Sequence, residues 1–172
     1  DLTPVSLVMV VPNVLVVGTG VTARDVRELV AQMKAKPDAF NYASSGAGST
    51  QHLACEAFAL ATGTKIVHVP YKGSSQALAD LIGGQINLAI AAAVSALPHI
   101  RTARLRALAV GDSKRSVILP ELPTMAEAGV PGYYAASWYG LLLPAGVPKP
   151  VVESLSKEIV TAMKVPAIRD GM

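Results

Sequence analysis

Five short apolar runs, separated by stretches with helical spacing, constrain this chain more than any other feature. "NVLVV" (13–17), "NYAS" (41–44), "KIVHV" (65–69), "INLAIAA" (86–92) and "LRALAV" (105–110) are mostly apolar and too short for buried helices, so each reads as a strand. Between the first two, Asp25 and Glu28 have capping-box spacing, and Val26, Leu29, Val30 and Met33 follow at helical intervals as far as Pro37. Ser49 caps a second helix, with Leu53, Ala57, Phe58 and Leu60 on or near one face and Gly63 as its stop. Ser74 or Ser75 starts a third helix, which runs through Leu78, Leu81 and Ile82 to Gly83 and Gly84; a short fourth lies near Ser95 to Thr102. Strands that alternate with helices are joined by crossovers. The expected fold class is therefore α/β: three layers, with a mainly parallel sheet and helices on both faces.

The remaining sequence bounds what this frame can do. A chain of 172 residues suits one domain, or one domain and part of a second. It is 51% hydrophobic and only 5% aromatic, so its core is aliphatic. The net charge of +3 is spread without a basic stripe. Arg101, Arg104 and Arg106, with Lys114 and Arg115, form the densest cluster and read as solvated helix ends, which argues against nucleic acid as a partner. The single Cys55 lies on an apolar helical face and reads as a buried structural thiol. "LAIAAAVSALP" is too short to cross a membrane, and "VMVVPNVLVV" is interrupted by Pro12.

No basic, apolar leader is visible after Asp1, and the opening "DLTPVSLVMV" and ending "VPAIRDGM" suggest a piece of a longer protein. After Val110 turn formers dominate. Thr124 and Glu127 have capping-box spacing, "SWYGLLLP" is extended, and Pro148 opens an amphipathic helix through Val152, Leu155, Ile159 and Met163. A boundary is expected near Pro120, with the last part packing on something other than the first sheet.

In a parallel sheet the strand-to-helix loops lie at one edge, where open α/β sheets bind ligands. Three loops qualify: Ser44–Thr50 ("SSGAGST"), Pro70–Ser75 ("PYKGSS") and Ala91–Ala96 ("AAAVSA"). Each leads into a helix, so each presents unpaired amides and the positive end of a helix dipole to an anion. Gly46 and Gly48 permit positive φ and close ligand approach, and Ser44, Ser45, Ser49 and Thr50 add hydroxyls. A serine-capped turn with no ligand accounts for this loop equally well. The loop lacks the Gly-Lys-Ser/Thr end of a P-loop, holds two glycines of a dinucleotide pattern, and is no G-x-S-x-G elbow. Lys72 could pair with an anion or sit in solvent; Tyr71 could wall a pocket or pack under its loop. His52 falls in a first helical turn, His68 reads as core and His99 as surface. No histidine spacing assembles a metal site or a triad.

"NYASSGAGSTQHLACEAF", "VHVPYKGSSQALADLIGGQI", "SALPHI", "RLRALAV", "KRSVILPELPTMAEAGVPGY" and "SWYGLLLPAGVPKPVVESL", in this order over nearly the whole chain, resemble the substrate receptors of tripartite tricarboxylate transporters, the Bug family. The resemblance implies a two-lobe periplasmic solute-binding protein, similar to type II periplasmic binding proteins. Such a receptor captures a small carboxylate, hands it to membrane permease subunits, catalyses nothing and uses no cofactor or metal. It implies that residues 11–120 are the second lobe and 121–172 a return crossing with part of the first, and that the signal peptide and most of the first lobe lie outside this chain. It carries ligand contacts onto Ser44, Ser45, Ala47, Gly48, Ser49, Thr50, Tyr71, Lys72 and Gly73. Ala91 and Ala92 depart from the family pattern, which often has an acidic and then a polar residue there. That departure disfavours a ligand with an ammonium group and favours an apolar dicarboxylic or aromatic acid. Trp138, Leu141, Leu142 and the apolar face of Val152–Met163 would lack their usual cover, so the chain is expected to self-associate. The rival readings are an α/β enzyme that holds a phosphate or carboxylate in the same loop and the ligand-sensing domain of a transcription regulator.

Overall fold

The computed structural model describes residues 1–169, and it divides into two compact units. The first comprises Asp1–Val10 and Trp138–Met172, the second Val11–Ser137. The chain passes between them twice, through β1 (Leu2–Val17) and β6 (Ala136–Pro144).

The larger unit is a sheet clothed on both faces. Its strands are the second half of β1 with β2 (Asn41–Ser44), β3 (Val67–Pro70), β4 (Leu88–Ala92) and β5 (Arg106–Val110), in the order β3-β2-β4-β1-β5. β2 pairs parallel with both β3 and β4, while β1 runs antiparallel to both β4 and β5. The sheet is therefore mixed: four strands point one way and β1, the strand entering from the other unit, points against them. An apolar pattern cannot reveal this, because strand direction leaves no mark on side-chain alternation.

The helices are α1 (Val26–Ala35), α2 (Thr50–Thr62), α3 (Ser74–Ile82) and α4 (Ala93–Arg101). Strand alternation sorts the core into two layers. Leu15, Val17, Tyr42, Leu88 and Ile90 meet α1 and α2 on one face. Val14, Val16, Ala43, Ala89 and Ala91 meet α3 and α4 on the other. Helix ends follow their local chemistry. Asp25 caps α1 by accepting the Glu28 N–H, and the Glu28 carboxylate reaches back to the Arg24 N–H. Gly63 ends α2 at φ 62, a conformation that only glycine adopts at little cost.

Two expectations change. The buried stripe of α2 is Ala54, Cys55 and Phe58; Leu53 and Leu60 share the opposite, outward stripe, and Leu60 is 86% exposed. Phe58 sets the face, since its ring is the largest side chain the helix can bury. Desolvation pushes the enclosed Cys55 thiol up to about 12, which keeps it protonated and inert.

The second change is that the sheet unit extends past Pro120 to Ser137. The Val110 N–H donates to Pro123 O, the Met125 N–H to Val110 O and the Ala135 N–H to Gly111 O, so this segment is stitched along β5. Thr124 and Glu127 form a reciprocal capping box on a single turn. Tyr133 packs edge-on against Phe58 and donates its hydroxyl to Ala54 O at 2.9 Å. These contacts supply a core for a stretch whose turn-rich sequence shows little periodicity.

In the smaller unit β6 pairs with β1, and α5 (Lys149–Ala162) and α6 (Pro166–Arg169) follow. No residue of α5 is buried, and Trp138, Tyr139, Leu141, Leu142 and Leu155 are exposed.

The sheet's fit to α3 depends on Gly18, where a Cβ would lie 2.6 Å from the Leu81 carbonyl oxygen and 3.2 Å from that of Ile86; at Gly20 it would meet nothing within 4 Å. Denaturant unfolding should show Gly18→Ala destabilised by ~1–3 kcal/mol and Gly20→Ala within ~0.5 kcal/mol of the parent. Equal midpoints for the two would contradict this packing.

Candidate functional site

Because β2, β3 and β4 run the same way, the loops that follow them open on one rim. The pairing of Ser44 with Pro70 places the first two side by side, and the Tyr71 N–H donates to Ser44 O at 3.0 Å. The third leaves β4 at Ala92, opposite Asn13 of β1. Three helices, α2, α3 and α4, therefore present their N-termini to the same rim, each with a positive dipole end and up to four donors lacking a helical partner.

The first loop is shaped by its own side chains. Gly46 and Gly48 sit at φ 128 and φ 77, where other residues would be strained. The Ser44 hydroxyl, 1% exposed, accepts from the Gly46 N–H at 3.1 Å and lies 2.6 Å from His68 Nε2. Ser45 donates to Gln51 Oε1 through its hydroxyl and its N–H. Ser49 caps α2 by accepting the His52 N–H, and His52 Nδ1 accepts the Gly48 N–H at 3.0 Å. The N–H groups of Ala47, Thr50 and Gln51 have no hydrogen-bond partner among the described residues.

The second and third loops are more open. Neither α3 nor α4 has a side-chain cap, and the N–H groups of Gly73, Ser74 and Ser75 are likewise unpartnered among the described residues. Lys72 is exposed beside them. Tyr71 turns away: its hydroxyl donates to Asp80 Oδ2 at 2.7 Å, and burial with that bond pushes it up to about 12. A recess of about 10 Å³, room for roughly one water, lies among Ser44, Ser45, Gln51, Ser74, Ala77 and Ala91. Ala91, inside it, is buried and supplies no polar group.

The rim thus gathers Ser44, Ser45, Ala47, Gly48, Ser49, Thr50, Tyr71, Lys72, Gly73 and Ala91 at neighbouring strand ends. The hydroxyls of Ser44 and Tyr71 are occupied within the chain, and the open donors are main-chain amides. Sequence reasoning missed Gln51, which orients Ser45, and Asn13, which is fully buried at the rim. Asn13 Oδ1 accepts from Ser137 Oγ at 3.3 Å, while its Nδ2 has no partner among the described residues. The Gln51 contact comes from the first turn of α2 folding back on its own loop, and the Asn13 contact from a chain crossing that no local motif announces.

One histidine also departs from expectation, while His52 lies in the first turn of α2 as its position predicts. His68 is not core: it is half-buried, and its ring stacks on that of His52 at 4.0 Å and on Tyr42 at 4.9 Å, directly behind the first loop. The β2–β3 register sets His68 beside Tyr42, and the first turn of α2 brings His52 over it. Tyr42 donates its hydroxyl to Glu56 Oε1 at 2.5 Å. Burial, then the neighbouring His52, lower the His68 pKa from the ordinary 6.5, so the fold favours its neutral form. Among the described residues no three of His, Cys, Asp and Glu lie together so as to hold a metal. No helix there is long and apolar enough to cross a membrane.

Known proteins share this arrangement. Residues 1–172 match the family model described as tripartite tricarboxylate transporter family receptor. Protein BugT of Bordetella pertussis is 40% identical over 98% of this chain and 52% of its own length. A solved Rhodopseudomonas palustris protein with adipate superposes with a TM-score of 0.90 at 38% identity, over 97% of this chain and 56% of that one. MatC of the same organism, with bound malate, gives a TM-score of 0.90 at 30% identity, over 98% and 57%. The chain spans about half the length of the curated relatives it matches. With its full length matched in sequence and its fold matched closely, the chain belongs to the tripartite tricarboxylate transporter receptor family, together with the Bug proteins.

Proposed function

We propose that this chain carries one wall of the solute site of a periplasmic receptor, which captures a small carboxylate and passes it to the membrane subunits of a tripartite tricarboxylate-type transporter. The observation that carries this reading is the single rim onto which three helix N-termini open, with amides of Ala47, Thr50, Gln51, Gly73, Ser74 and Ser75 left without partners in the described residues. Such donors suit a carboxylate and need no charged side chain. Adipate and malate in the related structures are acids of this kind. The rim donates hydrogen bonds and offers no exposed serine aligned with a base, which supports binding over catalysis. Ala91 and Ala92 supply no anion for an ammonium group, which favours an apolar dicarboxylic or aromatic acid.

In this reading Val11–Ser137 is the second lobe and the smaller unit is a part of the first. Magnitudes require both. A carboxylate at one helix N-terminus gains roughly 0.3–1 kcal/mol, rising to about 2 when partly buried, whereas micromolar affinity needs about 8 kcal/mol. One rim cannot reach that. Closure of a complete second wall and the resulting desolvation supply the rest. The uncovered Trp138, Leu141, Leu142 and α5 would meanwhile pair with other copies.

Titration calorimetry with adipate should therefore give micromolar binding for the full-length receptor and negligible heat for residues 1–172, whose light scattering should rise with concentration. Tight binding by the 172-residue chain, or a strict monomer at high concentration, would contradict this account.

A further inference from the structure

His52 has a task in the first loop that neither its place in the helix nor a solute contact requires. Its Nδ1 accepts the Gly48 N–H at 3.0 Å, so that nitrogen must hold a lone pair and the neutral ring carries its proton on Nε2. Gly46 is held by the Ser44 hydroxyl and by the Ser49 N–H, whereas the Gly48 N–H bonds to His52; both glycines sit at positive φ, and Ala47 is exposed. The adjoining amides of Ala47, Thr50 and Gln51 are the ones left open at the rim.

Resting on the receptor reading, we infer that His52 is a positioning residue for the carboxylate, its neutral Nδ1 holding Gly48 so that the neighbouring amides converge, and that acidification releases loop and solute together. Protonating Nδ1 turns the acceptor into a donor facing another donor, and the Gly48 bond is lost.

The surroundings make this proton consequential. His68 of β3 stacks on His52 at 4.0 Å and touches the Ser44 hydroxyl, which also holds Gly46. A charge on His52 disfavours a charge on His68. Glu56, one turn along α2, is the nearby carboxylate and is tied to the Tyr42 hydroxyl of β2; the Cys55 thiol behind them is buried and protonated. Glu56 acts the other way on His68, favouring its charged form, but less strongly than burial and His52 oppose it. The sign follows: the neutral pair holds the loop, so affinity is full above the histidine range and falls as pH drops through it.

Two measurements decide this. In a ¹⁵N-labelled full-length receptor without solute, the Gly48 amide should shift with pH in step with His52, and His52 Nδ1 should show the shift of an unprotonated acceptor at neutral pH. Adipate affinity should fall at least about tenfold between about pH 7.5 and about pH 5.5. His52→Ala should weaken adipate by about tenfold at neutral pH. His52→Asn, whose Oδ1 can accept from Gly48 but takes up no proton, should recover most of that loss and flatten the pH profile. A Gly48 amide indifferent to His52, or an Asn variant that keeps the parent's pH dependence, would overturn the inference. If adipate fails to bind at any pH, the carboxylate reading is at fault, and the Gly48 resonance decides the role of His52 by itself.

Discussion

The structure depends on the parallel pairing of β2 with both β3 and β4. Parallel strands need crossovers, and crossovers made of helices return every chain reversal to the same edge. Three helix N-termini consequently accumulate at one rim. An isolated helix leaves its first donors to water; three together create a surface rich in hydrogen-bond donors and positive dipole ends, with Lys72 beside them. The anion preference proposed for this rim would thus be a property of the backbone, and the sequence need only avoid filling it. Small residues serve that end: Gly46, Ala47, Gly48, Gly73, Ala91 and Ala92 put little in the way of a ligand.

The far edge of the sheet is built for the opposite purpose. Asn41 and Asn87 exchange two bonds of 2.8 Å each, from the N–H of one to the Oδ1 of the other, and lock β2 against β4 where no ligand loop lies. Gly18 lets the end of β1 lie against α3. Side-chain bonds between strands gather there, while open main-chain amides gather at the rim. This division matches the general need for a binding site to be positioned by a scaffold that does not itself change.

How much of this could be read from the residues varies with the range of the interaction. Local devices were legible: the Asp25–Glu28 cap, the Ser49 cap, the Gly63 stop and the glycine-serine loop are each set within a few residues. Direction and register were not. The antiparallel course of β1 leaves alternation unchanged, so only the pairing of Asn13 with Ala92 shows it. The outward turn of Leu53 and Leu60 depended on where Phe58 found space. The stack of His52 on His68 joins residues sixteen positions apart, and the Asn13–Ser137 bond spans most of the chain. The segment up to Ser137 read as a different texture because its order comes from bonds to β5 and from Tyr133 on Phe58, neither of which has a period.

The central claim is that open main-chain amides on this rim hold the negative charge of a solute. Amide chemical shifts of the ¹⁵N-labelled full-length receptor, followed as adipate is added, test it directly. The account predicts the largest changes at Ala47, Thr50, Gln51, Gly73, Ser74 and Ser75, with saturation at one adipate per receptor. Saturable binding that leaves these amides unmoved, with its largest changes elsewhere on the Val11–Ser137 unit, would contradict it.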